Sequence, residues 1–295
     1  MHICLFRLEN EAVLVESPLS LAELTGVSGK RATCLSTRVH SSYEKKPTNV
    51  INGDDFVTVQ NSSGSSKFEI KQISSIIERF KPDFVIGPFD EHPIPMSLKR
   101  VRKAVDRNLK YEKILESSVN LPFISSISGA EYVDEKLRNI RGISAKSVGL
   151  SFSDFHKLSS VEERLSVLEK VSSKIDNESF IRILRGPIAP VDMEKYLPFV
   201  DIIDSSYVDE ITSKGYALQI CLTGNISECL NMWDEKFFDD FEPISSSCTC
   251  LTCKSYHRSY VHHLLKSHEM LAGVLLMVHN LHQYYNWLQF LKSNN

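Results

Sequence analysis

The chain has 295 residues, of which 42% are hydrophobic and 24% are charged, a composition ordinary for a soluble globular protein. This length is enough for one large α/β barrel or for two smaller domains. The formal net charge is −3, which excludes a global attraction to nucleic acid, so any RNA contact must come from local basic patches.

The two ends of the sequence predict an intracellular protein without a transmembrane helix. Arg7, Glu9 and Glu11 lie where a secretory signal would need an unbroken apolar core. The apolar run at residues 270–278 is too short to cross a bilayer. Seven cysteines in an intracellular chain are not expected to form a disulfide framework.

Short β-like runs alternate with longer helical patterns through the middle of the chain. Predicted strands cover residues 84–86, 121–127, 147–152, 180–184, 199–203 and 217–222. Predicted helices lie between them, at about 97–116, 131–140, 161–174 and 191–196. Because repeated strand–helix units favour a parallel sheet, we expect an α/β fold, closed as a barrel or open as a doubly wound sheet.

Two segments depart from this alternation. Residues 35–66 are rich in Ser, Asn and Lys, which predicts long loops. Between Tyr260 and Leu288, apolar residues recur at spacings of three and four. This periodicity predicts one long amphipathic helix, or two helices with a break near Gly273.

Cys248, Cys250 and Cys253 form a C-x-C-x2-C cluster that predicts a metal site. Three thiols so close in sequence can converge on one ion, and tetrahedral zinc needs a fourth sulfur or nitrogen ligand. His279, 26 positions after Cys253, can close the site from the terminal helix. With three thiolates and one imidazole the shell is full, so a single structural zinc is expected. The competing histidines are His257, His262, His263, His268 and His282.

Two other interpretations of the cluster remain at this point. The first alternative is three reduced cysteines in a tight turn, and the second is a redox pair. Clustered thiols in an intracellular chain favour a metal over both. The remaining cysteines are scattered, and we interpret them as buried small hydrophobes. They are Cys4, Cys34, Cys221 and Cys229.

The segment at residues 248–284 closely resembles the C-terminal signature of the tRNA-guanine transglycosylases, also called queuine tRNA-ribosyltransferases. In that family a C-x-C-x2-C cluster precedes a Y-x-R-x-Y-x-H-H-L stretch, which lies here at residues 256–264. A later His-Asn pair, here His279 and Asn280, supplies the last zinc ligand. The resemblance covers about forty residues with specific spacing.

This resemblance implies a (β/α)8 TIM-type barrel, somewhat degenerate here, with a C-terminal zinc-binding subdomain and a long terminal helix. Residues 1–295 would form a single transglycosylase-like domain, with the zinc subdomain at about 240–285. The substrate implied is tRNA, in which guanine at the anticodon wobble position is exchanged for queuine.

Two carboxylates match family positions, but their catalytic neighbours are missing. Asp90 corresponds to the family's base-contacting Asp, and Asp204 corresponds to its nucleophile. The D-S-G-G-F-Q pattern of catalytic members is absent, with residues 52–55 (NGDD) as its nearest analogue. Ser128-Gly129 replaces a Gln-Gly, and Ser206-Tyr207-Val208 replaces a Pro-Thr-Arg. We therefore expect both carboxylates to be vestigial; Asp204 is equally interpreted as a helix cap or loop anchor.

The stretch at residues 97–111 resembles the accessory subunit of the eukaryotic enzyme, a heterodimer of two homologous chains of which one is catalytic. The resemblance implies a non-catalytic subunit that binds and positions tRNA for its partner, with a weak homodimer in isolation. It also implies a cytoplasmic protein, attached peripherally to the mitochondrial outer membrane and without integral membrane association. Two alternatives stay open: a catalytic transglycosylase with Asp204 as nucleophile, and a zinc-containing scaffold without a role in tRNA modification.

Two basic patches are candidates for phosphate binding, and a solvated helix surface is the simpler interpretation of each. The first lies on the predicted helix at 97–116 and the second beside the cysteine cluster. The apolar stripe of the terminal helix is a candidate dimer interface, or else a face covered within the chain. The candidate tRNA-binding residues are Lys99, Arg100, Arg102, Lys103, Arg107, Lys254, Arg258 and Lys266.

Overall fold

A computed structural model of the chain describes residues 2–7, 20–25, 31–36, 51–61, 64–90, 96–155, 158, 160–175, 179–220 and 229–294. The described strands are β1 (His2–Arg7), β2 (Arg31–Ser36), β3 (Phe56–Asn61), β4 (Gly64–Glu69), β5 (Phe84–Ile86), β6 (Phe123–Ile127), β7 (Ser147–Phe152), β8 (Ile181–Gly186), β9 (Ile202–Ser205), β10 (Tyr216–Ala217) and β11 (Leu230–Asn231). The described α-helices are α1 (Leu21–Thr25), α2 (Ile70–Phe80), α3 (Leu98–Ser118), α4 (Val133–Arg141), α5 (Val161–Ser172), α6 (Pro190–Tyr196), α7 (Tyr207–Ser213), α8 (Leu251–Ser255), α9 (Arg258–Lys266) and α10 (Met270–Asn294).

The chain forms two compact units. The first contains Met1–Gly186 and Leu197–Asp204, and the second contains Pro187–Tyr196 and Ser205–Asn295. No helix among the described residues is long and apolar enough to span a membrane. The predicted extent of the zinc subdomain, about 240–285, stays a prediction.

The first unit is built on a sheet of seven strands in the order β1-β2-β5-β6-β7-β8-β9. The registered pairs from β1 to β8 are all parallel, and the helices α2 to α5 fall between successive strands. This arrangement follows from the strand–helix alternation of the sequence, and it confirms the α/β class.

A hydrogen bond across the sheet shows that the strands curl toward one another. Arg185 Nη1 on β8 donates to Ser36 Oγ on β2 at 3.0 Å, although three strands lie between β2 and β8. In a flat sheet these strands would be on the order of 19 Å apart, at about 4.8 Å per step, too far for one side chain. The sheet is therefore curled into a half-barrel. It contains seven described strands, whereas a closed (β/α)8 barrel has eight.

Helix α3 forms because apolar residues recur at helical spacing along one face, where Val101, Val105 and Leu115 are buried. Tyr111 on the same face donates its hydroxyl hydrogen to the carbonyl oxygen of Gly53, and so ties α3 to the segment before β3. The predicted helix at 97–116 is confirmed by this element. Its buried face positions the polar residues that reach the sheet.

The loops predicted for residues 35–66 are interrupted by structure. The strands β3 and β4 form an antiparallel hairpin from Phe56 to Glu69. Val57, Val59 and Phe68 are buried in the core of the first unit, and their alternation with polar residues is that of a strand with one covered face. The Ser- and Asn-rich composition obscured this short alternation.

The second unit has its own core, formed where α9 and α10 pack together. Its buried residues include Leu264, Leu265 and Leu276. The break between the two helices falls at residues 267–269, where His268 has a φ of 56°, a left-handed conformation that ends helices. The prediction of a break at Gly273 is wrong, because Gly273 lies inside α10. Of the strand predicted at 217–222, only Ala217 belongs to β10, and residues 221–222 lie outside the described residues.

Candidate metal centre and strand-end carboxylates

The four predicted zinc ligands converge in the second unit. The sulfur atoms of Cys248, Cys250 and Cys253 and a ring nitrogen of His279 all lie within 4.8 Å of one another. His279 Nδ1 is 3.3 Å from Cys253 Sγ and 3.7 Å from each of the other two sulfurs. Zinc bonds of about 2.3 Å to sulfur and about 2.0 Å to nitrogen place tetrahedral ligands about 3.6 Å apart. The donor set and its spacing therefore fit a tetrahedral zinc ion.

Local structure holds the three sulfurs on one side of a short turn. Cys250 is the N-cap of α8, and its sulfur accepts a hydrogen bond from the backbone nitrogen of Cys253 at 3.4 Å. Thr252 is buried, and its hydroxyl donates to the carbonyl oxygen of Leu275 at 2.8 Å. This bond fastens α8 against α10, the helix that carries His279.

A second contact fixes the tautomer of His279. Its Nε2 lies 2.9 Å from the carbonyl oxygen of Leu218, so Nε2 carries the hydrogen and Nδ1 presents a lone pair to the sulfurs. Asn280 accepts from the backbone nitrogen of Leu218 at 2.6 Å and donates to the carbonyl oxygen of Tyr216 at 2.9 Å. The His-Asn pair therefore locks α10 onto residues 216–218, which orients the imidazole.

Hydrogen bonding and burial shift the pKa values of the three thiols in different directions. The hydrogen bond with Cys253, and then that with His279, lowers the pKa of Cys248 to about 3. The same bond to Cys248 raises the pKa of Cys253, and burial raises that of Cys250. A metal ion bound among them would favour the thiolate form of all three, because metal ligation requires deprotonated sulfur.

Two of the five competing histidines have other hydrogen-bond partners. His262 is buried with its Nδ1 2.9 Å from the carbonyl oxygen of Met232, and His282 Nε2 lies 3.3 Å from the hydroxyl of Thr249. Within the described part of the chain, the three cysteines and His279 are the one group of such residues close enough to hold a metal. Among the scattered cysteines, Cys34 is buried as predicted and Cys229 is partly buried, whereas the side chains of Cys4 and Cys221 lie outside the described residues.

Asp90, the candidate base-contacting carboxylate, is fully buried and bonded on both oxygens. Arg100 contacts it in a fork, at 2.7 Å and 2.9 Å, and Arg107 Nη1 donates to Oδ2 at 2.9 Å. Asn52 donates to Oδ1 at 2.8 Å. Burial by itself would raise the pKa of Asp90, but the hydrogen bonds from Arg100, Asn52 and Arg107 outweigh it and lower the pKa. Four donors leave this carboxylate little capacity to accept a bond from a base.

Asp204, the candidate nucleophile, lies at the end of β9 in an ion pair. Arg185 Nε donates to Asp204 Oδ2 at 2.8 Å, and the Arg185 side chain is 2% exposed. The second contact of Arg185, to Ser36, holds the guanidinium in this place. Arg185 was not predicted as a site residue, although an arginine at the end of the apolar strand I-R-I-L-R-G is an unusual feature of the sequence.

The position where catalytic members have Gln-Gly is occupied by a buried polar network. Asp154 accepts from the backbone nitrogens of Gly129 and Ala130 at 2.8 Å and 2.6 Å. Its other oxygen pairs with Lys136, which is fully buried. This network joins the ends of β6 and β7, and nothing in the sequence spacing predicted it.

The basic candidates divide into paired and unpaired residues. Arg100 and Arg107 bind Asp90, Arg102 binds Glu135, Arg258 binds Asp240, and Lys266 binds Glu235. By contrast, Lys99, Lys103 and Lys254 are exposed, and no ion-pair partner is present for them among the described residues. Among the eight candidate residues, these three lysines are therefore the ones without an ion-pair partner in the described part of the chain.

The terminal helix α10 leaves an apolar face uncovered. Its buried side contributes Leu275, Leu276 and His279 to the second unit. The exposed large side chains on the opposite side are Met270, Leu271, Val274, Leu281, Tyr285 and Leu288.

Comparison with known proteins agrees with these features. A model of the family described as queuine tRNA-ribosyltransferase matches residues 5–293. A human protein named queuine tRNA-ribosyltransferase accessory subunit 2 is 25% identical over 336 residues, which cover 97% of this chain and 79% of the relative. Relatives of the same name from Xenopus laevis and Drosophila virilis are 26% and 28% identical, covering 99% and 93% of this chain and 81% and 70% of each relative.

Proposed function

Because the chain belongs to the queuine tRNA-ribosyltransferase family, we propose that it is a non-catalytic accessory subunit of a heterodimeric enzyme. In this role it binds and positions tRNA while a homologous catalytic partner exchanges the wobble guanine for queuine. The relatives named above are accessory subunits. The observation that carries the proposal is the ion pair between Asp204 and buried Arg185.

Base exchange requires a carboxylate that is free to attack the anomeric carbon of the nucleoside. Asp204 holds its Oδ2 against Arg185 at 2.8 Å. An attack by this carboxylate would leave a buried guanidinium without a counter-charge, which is costly. The missing partners around it, with Ser128-Gly129 tied to Asp154, support a positioning role rather than a chemical one.

The proposal includes one structural zinc ion held by Cys248, Cys250, Cys253 and His279. Bound there, zinc supplies a cross-link between helices α8 and α10 in a closed shell with no position for substrate. Two hydrogen bonds of the chain position these ligands. The carbonyl oxygen of Leu218 orients the imidazole, and the hydroxyl of Thr252 holds α8 against α10.

The uncovered face of α10 supports association with a homologous chain. Val274 and Leu281 are each more than half exposed, and Met270 is 90% exposed. Contiguous apolar surface of this kind is typical of a protein interface. We assign this face to the catalytic partner, with a weak homodimer when the chain is alone. A cytoplasmic location, peripheral at the mitochondrial outer membrane, belongs to the same proposal.

Incorporation of labelled queuine or guanine into tRNA tests the role. We expect no incorporation by this chain alone, little by a catalytic homologue alone, and full activity in the mixture. Incorporation by the chain alone would instead favour a catalytic enzyme with Asp204 as nucleophile. Failure to associate with the homologue and with tRNA would favour a zinc-containing scaffold.

A further inference from the structure

The outward face of α3 carries a row of lysines at helical spacing. The lysine row consists of Lys99, Lys103, Lys110 and Lys113, all exposed. Lys110 pairs with exposed Asp54, and the other three have no ion-pair partner within the described part of the chain. The opposite face of the helix is buried, so the row is fixed outward by the packing of α3.

Helix α3 carries a net positive charge, although the chain as a whole is net negative. Seven basic and three acidic residues occur in Leu98–Ser118, within a chain of net charge −3. Of the three acids, Glu112 is buried beneath the helix. Asp106 is bound by Arg138 at 2.6 Å, so it neutralises little of the row.

The fold accounts for the arginines of α3 but not for the lysines. Arg100 and Arg107 compensate the buried charge of Asp90. Lys99 and Lys103, in contrast, lie near the N-terminus of the helix, whose first turn has no acidic residue. The helix dipole disfavours a cation in the first turn by about 0.3–1 kcal/mol, so the charge of Lys99 lowers the stability of α3 rather than raising it.

The surroundings of the row favour the backbone of a nucleic acid over other anionic partners. From Lys99 to Lys113 the row spans about 21 Å at 1.5 Å per residue. No described residue of α3 or α4 is an exposed large hydrophobic side chain. The face therefore lacks aromatic rings for stacking on unpaired bases and apolar residues for insertion into a membrane.

Building on the proposed function, we propose that the lysine row binds the sugar–phosphate backbone of a base-paired stem of the tRNA. Duplex RNA is recognised mainly through its backbone and shape, and flexible lysines act there as point charges. Of the basic candidates on α3, Lys99 and Lys103 thus contact RNA, while Arg100 and Arg107 maintain the fold. Lys113 is an addition to the contact surface.

The test compares two triple variants that remove the same charge from the same unit. The first is Lys99→Ala with Lys103→Ala and Lys113→Ala. The control replaces three other exposed lysines, Lys71, Lys170 and Lys174, by alanine. Binding of each to an unmodified tRNA transcript, a blunt RNA duplex, a single-stranded RNA and anionic phosphatidylserine vesicles is measured over a range of salt concentrations.

We expect the first variant to lose about two to three from the slope of log K against log salt, and about tenfold or more in affinity at moderate salt, for tRNA and duplex alike. The control should lose neither. A variant with all three lysines changed to arginine should retain binding, which would separate loss of charge from loss of fold.

An unchanged slope in the alanine variant would overturn the proposal, as would equal losses in the control. A loss confined to single-stranded RNA or to vesicles would overturn it as well. These outcomes are separable from the accessory role, because partner-dependent exchange by the wild-type chain is measured without reference to the lysines.

Discussion

Replacing Asp90 by alanine tests whether this carboxylate stabilises the fold. The substitution removes a buried acceptor that Arg100, Arg107 and Asn52 share. Breaking a buried ion pair from one side costs about 3–5 kcal/mol, because the remaining charge is left uncompensated. Arg100 and Arg107 retain side-chain exposures of 28% and 13%, so they can turn partly toward water. We therefore expect the lower end of that range, about 3 kcal/mol.

Asp106→Ala, on helix α3, is the matched control. Asp106 also pairs with an arginine, at 2.6 Å, but its side chain is 57% exposed. An exposed pair of this kind contributes about 0–1 kcal/mol. Both substitutions remove a carboxylate that pairs with arginine, one buried and one exposed, so the difference between them measures the effect of burial.

Amide hydrogen exchange over residues 98–118, with urea unfolding followed by circular dichroism, measures both variants. The lowered pKa of Asp90 adds a pH dependence: its stabilisation is present above the unfolded pKa of about 3.9 and is lost as pH falls through the lower folded value. Asp90→Ala should lack this part of the acid transition. A loss below about 1 kcal/mol at neutral pH, equal to that of Asp106→Ala, would refute the structural role of Asp90.

Three further predictions concern the metal, a buried acid and a backbone turn. Cys250→Ser should abolish copurification of one zinc per chain and lower the melting temperature, whereas Cys229→Ser should keep the metal; equal zinc contents measured by atomic absorption would contradict the assigned ligands. Burial raises the pKa of Glu112 to about 7, which destabilises the fold increasingly from about pH 4.5 to pH 7; Glu112→Gln should therefore raise the melting temperature at pH 8 but not at pH 4, and equal effects at both would contradict this. Gly129→Ala should destabilise the first unit by about 1–3 kcal/mol in urea unfolding. Gly129 has a φ of 149°, and a Cβ there would lie 2.8 Å from the backbone nitrogen of Lys136. An unchanged unfolding midpoint would count against strain at this turn.

Local sequence patterns predicted several of the elements and the four residues of the candidate metal centre. The helix at α3 and the strand at β7 follow from periodicity. The cysteine cluster follows from spacing within six residues, and its density of thiols needs no knowledge of the fold. Position alone left several histidines open as the fourth ligand; the resemblance to the family's His-Asn pair selected His279, and the geometry of the cluster agrees with that selection.

Contacts between residues far apart in sequence could not be predicted in the same way. Arg185 meets Ser36 across 149 positions, and Arg107 meets Asp90 across 17. The pairing of charged residues depends on how the sheet curls and on which face of α3 is buried. For this reason the sequence alone did not separate the structural arginines from the exposed Lys99 and Lys103. The hairpin at β3 and β4 was missed because its alternation is short and its composition is polar.

Queuine incorporation by the reconstituted heterodimer with Asp204→Asn in this chain tests most directly whether the chain is non-catalytic. Asparagine keeps an oxygen that can accept from Arg185, and the melting temperature of the variant serves as the control for folding. We expect the variant heterodimer to retain the activity of the wild type, because the chemistry occurs in the partner. Loss of exchange by a folded, associated variant would contradict this expectation and identify Asp204 as a nucleophile.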